Sequence, residues 1–337
     1  MTIPVVGVFD KAVSTGSRIV GMKRKPHLAA GSGRASSTTD QETCLMAAIR
    51  LNDFLEFARE RAIGGRDLDR GELAEAWRDS ARLFQELQVS EAGAADKPQV
   101  LPLPARLQSH VNKLSSLDSF KGTFSAVPVA FGMVELNKLV AYQQYITQSS
   151  VDWMVANAHW PMTPADLAKL CLPLNPPDSG FRLARQDGDR YVFISDNHDG
   201  RFQGAQVIDR SQIVGLKVNG HAQSVLVLPF GYTTNVLNAV RFGNRIVLNN
   251  GYHRAVSLMS MGVTHAPCLI QVCSNWDDVE LAGASAIWDG GEVFFNQARP
   301  PMLKDFFNPG LIRKFDTYRL RKEIRVTFEV DTLKLSI

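Results

Sequence analysis

Four consecutive residues, Gly251-Tyr252-His253-Arg254, carry the donors best suited to chemistry in this sequence. They follow Asn249-Asn250, which break an apolar run, because Asn and Gly favour turns and tolerate positive φ. From Tyr252 the apolar spacing becomes helical. Ala255, Leu258 and Met259 lie three and four apart, and Gly262 fits a C-terminal stop. The opening N–H groups of a helix have no intrahelical partners and sit at the positive end of its macrodipole. Gly251 lets a ligand approach that backbone, while His253 and Arg254 add side-chain donors on the same turn. This combination suits a phosphate or another oxyanion. The competing reading is that His253 and Arg254 only cap and solvate a surface helix.

The elements around these residues must hold them in place. Ile246-Val247-Leu248 reads as a short buried strand, and Cys268 to Val272 as the strand that returns after the helix. Val236 to Val240 reads as a short amphipathic helix packed ahead of the turn.

Strand, Gly-x-His-Arg turn, helix and the Gly262-x-x-x-x-Pro267 return together resemble the central box of the ParB/sulfiredoxin-like superfamily. That superfamily includes partition CTPases, sulfiredoxins, free-serine kinases and ParB-like nucleases. The resemblance covers about 30 residues strongly and a longer stretch loosely. It implies that Gly251, His253 and Arg254 contact nucleotide phosphates, with Asn249, Asn250 and Tyr252 at the same cofactor site. Arg254 would neutralise phosphate charge and His253 would donate a hydrogen bond or act as general acid, making these two the implied catalytic residues. The implied cofactor is a nucleoside triphosphate, CTP or ATP, with or without Mg2+, and no dedicated metal site is expected. Val134 to Gln144 is similar to the opening segment of such domains, where Gln144 either hydrogen-bonds a ligand or solvates the surface.

Three departures from the family pattern bear on activity. Gln143 and Gln144 stand where the serine-kinase branch has a Glu base, and an amide is no general base. Tyr252 stands where sulfiredoxins carry their reactive Cys. Asn249-Asn250 replaces an acidic residue, and Asn is a poorer Mg2+ ligand than Asp. The functional expectation is therefore a nucleotide- or phosphate-binding ParB-like protein, an NTP hydrolase or phosphotransfer enzyme if it turns over. The alternatives are a ParB-like DNA-binding protein or nuclease, and a non-catalytic interaction module. No helix-turn-helix pattern follows the box, so sequence-specific DNA binding lacks its usual carrier. A second copy of the chain is a further candidate partner.

The 337 residues suffice for two domains, and 45% apolar with 21% charged residues is an ordinary globular composition. A net charge of +3 does not by itself indicate nucleic acid. Cys44, Cys171, Cys268 and Cys273 form no C-x-x-C pair, which argues against zinc and for buried, reduced thiols. No run of about 18 apolar residues is present, so no membrane partner is expected. Met1 to Val20 lacks a signal-peptide core, and the expected location is cytoplasmic.

The fold class expected is α+β: an N-terminal helical region, then a ParB/sulfiredoxin-like domain with a β-hairpin-rich insert. The divisions are residues 1–38, a flexible basic arm around Lys23-Arg24-Lys25; 39–120, the helical region; and 121–337, the α+β domain. In the helical region Asp40 is expected to cap a helix running to Arg61, and Leu73 to Leu87 to form a second, as an αα-hairpin. Residues 90–104 read as a linker. Val151 to Ala158 and the segment opened by Thr163-Pro164 are expected helices. From 178 to 230, short apolar runs including Ile213 to Val218 alternate with Asp-Gly and Asn-Gly turns. Ser195 to Arg201 packs acids, His198 and Arg201 into one loop, read as a turn ahead of a metal or acid–base site. Arg299 either reaches a phosphate or ties its own loop to a carboxylate. Arg319, Arg321 and Lys322 are basic, and Ile324 to Val330 alternates as a half-exposed strand at a sheet edge.

Overall fold

A strand buried on both faces must read as a nearly continuous apolar run, since neither set of alternate side chains meets water. Ala266 to Ile270 is such a run, and it lies at the heart of the largest sheet. The computed structural model describes residues 38–175, 182–195, 200–209, 211, 220–232, 234–289 and 291–334. The arm at 1–37, the run Ile213 to Val218 and the loop tip Asp196 to Asp199 lie outside the described residues.

The first half of the chain contains β1 (Thr39–Leu45), α1 (Leu51–Arg61), α2 (Arg70–Ser90), β2 (Val100–Leu101), α3 (Gln108–Ser116), α4 (Asp118–Thr123), β3 (Val129–Glu135), β4 (Val140–Ala141), β5 (Tyr145–Thr147), α5 (Gln148–Asn157) and α6 (Pro164–Cys171). A strand-rich segment follows: β6 (Arg182–Asp187), β7 (Arg190–Ser195), β8 (Gly200–Phe202), β9 (Gln206–Asp209), β10 (Ser224–Val227) and β11 (Phe230–Tyr232). The box region comprises β12 (Asn238–Phe242), β13 (Arg245–Asn250), α7 (Tyr252–Ser260) and β14 (His265–Cys273). After it come α8 (Trp276–Ala282), α9 (Ser285–Trp288), α10 (Glu292–Asn296), β15 (Ile312–Tyr318) and β16 (Lys322–Thr327). The chain is thus of mixed α+β class.

The main sheet has the order β2-β3-β14-β12-β13-β4. β14 is parallel to β12 and antiparallel to β3, while β13 is antiparallel to β12 and parallel to β4. The strands before and after the box are therefore not neighbours. β12 lies between them, and they run in opposite senses. The helix between them ends in a Schellman motif: Val263 N–H donates to Leu258 O and Gly262 N–H to Met259 O, each at 2.9 Å, with Gly262 at φ 82.

Several expectations are corrected. Asp40 does not open a helix at its own position; its carboxylate instead accepts from Ser149 N–H at 3.1 Å in the first turn of α5. Thr39 to Leu45 forms β1, paired in full register with β15 and beside β5, and the helix begins only at Leu51. Leu45, Met46 and Ile49 fit a helical period, but they belong to a strand and a 3-10 turn whose backbone groups find partners across the chain. Val236 to Val240 is not a helix either. Asn238 to Phe242 forms β12, joined to β13 by the two-residue turn Gly243-Asn244. A five-residue amphipathic run fits both periods, and here sheet pairing decides.

Residues 90–104 are not a linker. Val100 and Leu101 pair with β3, and Glu91 and Asp96 hold buried arginines from the far end of the chain. Nor does a boundary near 120 separate a helical domain. Thr38–Ile337 is one compact unit, and one core joins Leu45, Phe84 and Leu114 to Leu248, Tyr252 and Leu269. The α1–α2 hairpin and the helix opened by Thr163-Pro164 form as the sequence suggests, and Asp166 completes a capping box with Thr163. The segment 182–232 is strand-rich, in small sheets, with β16 added to β7.

Candidate functional site

Gly251 caps α7 in the left-handed region, at φ 99, and contributes no side-chain cap. A Cβ there would lie 2.7 Å from Leu237 Cδ1 and 3.3 Å from Leu237 Cα. The chain needs Gly for conformation and for clearance, and the source of the crowding is the residue just before β12. Ala255 N–H makes the first α-helical bond, to Gly251 O at 2.9 Å. The amides of Tyr252, His253 and Arg254 precede that bond. The first turn contains Arg254 and no acidic side chain, so side-chain charge and helix dipole have the same sign.

The three side chains of the turn go different ways. Tyr252 is 2% exposed and faces the core. Its hydroxyl donates to Leu248 O at 2.8 Å and accepts from Tyr142 N–H at 2.9 Å. The Tyr142 hydroxyl in turn donates to Asn249 O at 3.0 Å. Burial raises both phenols above their ordinary range, so they remain protonated donors. His253 is half-buried, and its Nε2 accepts from Thr147 N–H at 3.0 Å, locking the ring to the start of α5. Ser257, one turn on, donates to His253 O and to Val151 O, so α7 and α5 are held along their lengths.

Arg254 is 8% exposed, and its charge acts on Cys171 at the end of α6. Burial pushes that thiol up to about 12 despite the opposing pull of Arg254. Cys171 O also accepts from Leu237 N–H, so α6, Leu237, Gly251 and Arg254 form one neighbourhood. All four cysteines are buried and unbridged.

The amides before the Gly are equally committed. Asn249 Nδ2 donates to Asn238 Oδ1 at 2.9 Å and to Ala282 O at 3.3 Å, and its Oδ1 accepts from Ala284 N–H at 3.0 Å. It therefore fixes the α8–α9 corner against the end of the sheet, helped by Gln271 Nε2, which donates to Ala282 O at 3.1 Å. Asn250 Nδ2 donates to Asn235 Oδ1 at 3.1 Å. Gln144 turns away from the box: its Nε2 donates to Ala48 O and its main-chain carbonyl accepts from Leu45 N–H, each at 2.8 Å.

Gly251, Tyr252, His253 and Arg254 are thus brought together as the sequence suggests, with Asn249 and Asn250 beside them. The sequence did not reveal Leu237, Thr147, Tyr142 or the Ala282–Ala284 corner as partners. Apart from Leu237, each lies some thirty or more residues away from the group it meets. Arg299 ties its loop to carboxylates: Nη1 bonds Asp305 at 2.5 Å and Nε bonds Glu91 at 3.1 Å. A small cavity of about 110 Å³, lined by Lys97, Pro98, Arg241, Gly243, Asn244 and Ile246, lies at the opposite end of β13 from the box. Among the described residues no group of three or more His, Cys, Asp or Glu side chains is placed to hold a metal ion. Comparison of the chain with protein-family models, curated proteins and solved structures finds no match.

Proposed function

We propose that the chain carries a ParB/sulfiredoxin-like domain that binds a nucleoside triphosphate, CTP or ATP, through the first turn of α7. The observation that supports this reading is the left-handed, side-chain-free cap at Gly251 on a turn that holds Arg254 and no acidic side chain. Dipole and guanidinium charge then favour the same ligand, an anion. Phosphate oxygens would take the amides of Tyr252 to Arg254 and the Arg254 guanidinium. His253 acts as a positioning residue, because its Nε2 is occupied by Thr147 N–H. Binding is the core of the proposal. Bond cleavage would need a general base, and Asn249, Asn250 and Gln144 are amides engaged in the fold.

The test is a thermal-shift and calorimetric panel of CTP, ATP, GTP and ADP, with and without Mg2+, on wild type, Arg254→Ala and Arg254→Lys. Saturation at a hundred times Kd would stabilise the fold by about 2.7 kcal/mol. One nucleotide should stabilise wild type, lose its effect in Arg254→Ala and keep part of it in Arg254→Lys, with unchanged far-UV circular dichroism. No shift with any nucleotide, or equal shifts in folded variants, would overturn the proposal.

A second reading is a non-catalytic interaction module on the same fold. Its support is that the side chains of Asn249, Tyr252 and His253 all make internal bonds. It expects no nucleotide effect and a stoichiometric macromolecular complex.

A further inference from the structure

Within Lys322 to Lys334 the sequence alternates from Glu323 to Asp331, Glu-Ile-Arg-Val-Thr-Phe-Glu-Val-Asp, a strand pattern nine residues long. Only its first part is paired. β16 matches β7 from Lys322↔Ser195 to Thr327↔Arg190, where β7 begins after its turn. Among the described residues β16 is the outer strand of its sheet, in the order β16-β7-β6. Beyond it Phe328 stacks on Tyr191 at 5.9 Å and remains 41% exposed, while Val330 is 79% exposed. An apolar, strand-patterned overhang next to a ladder edge that is unpaired among the described residues is a template for pairing with another chain.

We propose that this edge is a homodimer interface, in which Lys322–Lys334 of two copies pair antiparallel about a two-fold axis at Phe328. Backbone direction permits it. Phe328 N–H donates to Asp189 O, so even-numbered residues turn their amides to β7 and odd-numbered residues turn theirs outward. Pairing about Phe328 sets odd residues opposite odd ones, as that edge requires.

Charge selects this register over its neighbours. With Phe328 on the axis, Val326 faces Val330 and Phe328 faces its own copy on one side of the ladder. On the other side Arg325 faces Asp331, twice by symmetry, and Thr327 faces Glu329. Moving the axis to Thr327 sets Glu323 against Asp331, and moving it to Glu329 sets two Glu329 carboxylates together. Like charges directly opposite are destabilising. A shift that puts an odd residue opposite an even one sets the apolar face against the charged face. The one like-charged pair in the chosen register, Lys322 with Lys334, falls at the outer ends of the ladder. Within one chain Arg325 already pairs with the exposed carboxylate of Glu323, so its guanidinium is on the face the register uses.

The test is sedimentation equilibrium of the full chain from micromolar to hundred-micromolar concentration, without nucleotide. Wild type should dimerise. Asp331→Arg sets arginines opposite each other and should weaken dimerisation by about tenfold or more. The swap Arg325→Asp with Asp331→Arg restores opposite charges in the same register and should recover most of the loss. An independent probe is Phe328→Cys, which should cross-link two copies on mild oxidation, while Ile324→Cys should not. A monomeric wild type, a dimer indifferent to Asp331→Arg, or a swap variant no better than the single variant would each overturn the proposal.

Discussion

Replacing Gly251 by Ala tests whether the box turn is built by backbone need. Two penalties apply at this position. A residue with a Cβ held at φ 99 pays the left-handed cost, about 1–2 kcal/mol. The added Cβ would also sit 2.7 Å from Leu237 Cδ1 and 3.3 Å from Leu237 Cα. The methyl can turn aside, but the Cα is fixed by Leu237 N–H bonding to Cys171 O and by Leu237 O accepting from Leu269 N–H. Crowding of this kind costs about 1–3 kcal/mol. Reduced freedom of the unfolded chain returns about 0.4–1 kcal/mol. The expected net loss is about 2–4 kcal/mol. Gly262, at the other end of α7, supplies the control: its φ is 82, and a Cβ there meets nothing within 4 Å. Gly262→Ala carries the conformational term alone and should cost about 0.5–1 kcal/mol. Urea unfolding of both variants, with the m-value checked for constancy, measures the difference. If the two losses agree within about 0.5 kcal/mol, the approach of Leu237 does not constrain the turn.

Arg299→Met should destabilise the fold by about 3–5 kcal/mol, because it leaves the buried Asp305 carboxylate and Glu91 without their shared cation; equilibrium unfolding within about 1 kcal/mol of wild type would refute this. The buried thiols should make the protein sensitive to alkali. Burial raises Cys171 to about 12 and Cys273 to about 11, so the folded state keeps protons that the unfolded thiols release near pH 8.5, roughly their free value. Their contribution to stability is whole below that pH and falls as pH rises toward the folded values. In reducing buffer, unfolding free energy should decline above pH ~8.5 by up to about 1.4 kcal/mol per pH unit for each thiol, and Cys171→Ala should flatten the slope. An unchanged slope in that variant would show that this thiol is not the source.

The box itself was legible because each of its elements is coded locally. The apolar run of β13, the break at Gly251, the spacing of Ala255, Leu258 and Met259, and Gly262 as the Schellman glycine all act over a few residues, although Asn249 and Asn250, expected to end the strand, continue it. The capping box at Thr163 and the strand alternation from Ile324 are of the same kind. What the chain does with those pieces was decided over long distances. Asp40 has cap chemistry, yet its segment is a strand because Ile312–Tyr318 supplies a ladder for it. The run after Val236 fits a helix turn and a strand alike, and becomes β12 because β13 and β14 both need a neighbour between them. The residues of the turn illustrate the same division. Sequence placed Tyr252, His253, Arg254 and Asn249 within a few positions of one another. Only packing sent Tyr252 into the core, His253 to Thr147, Asn249 to the α8–α9 corner and Arg254 toward Cys171. Local pattern fixes which backbone conformations are cheap, whereas the partner that satisfies a buried donor is set by whichever distant segment folds against it.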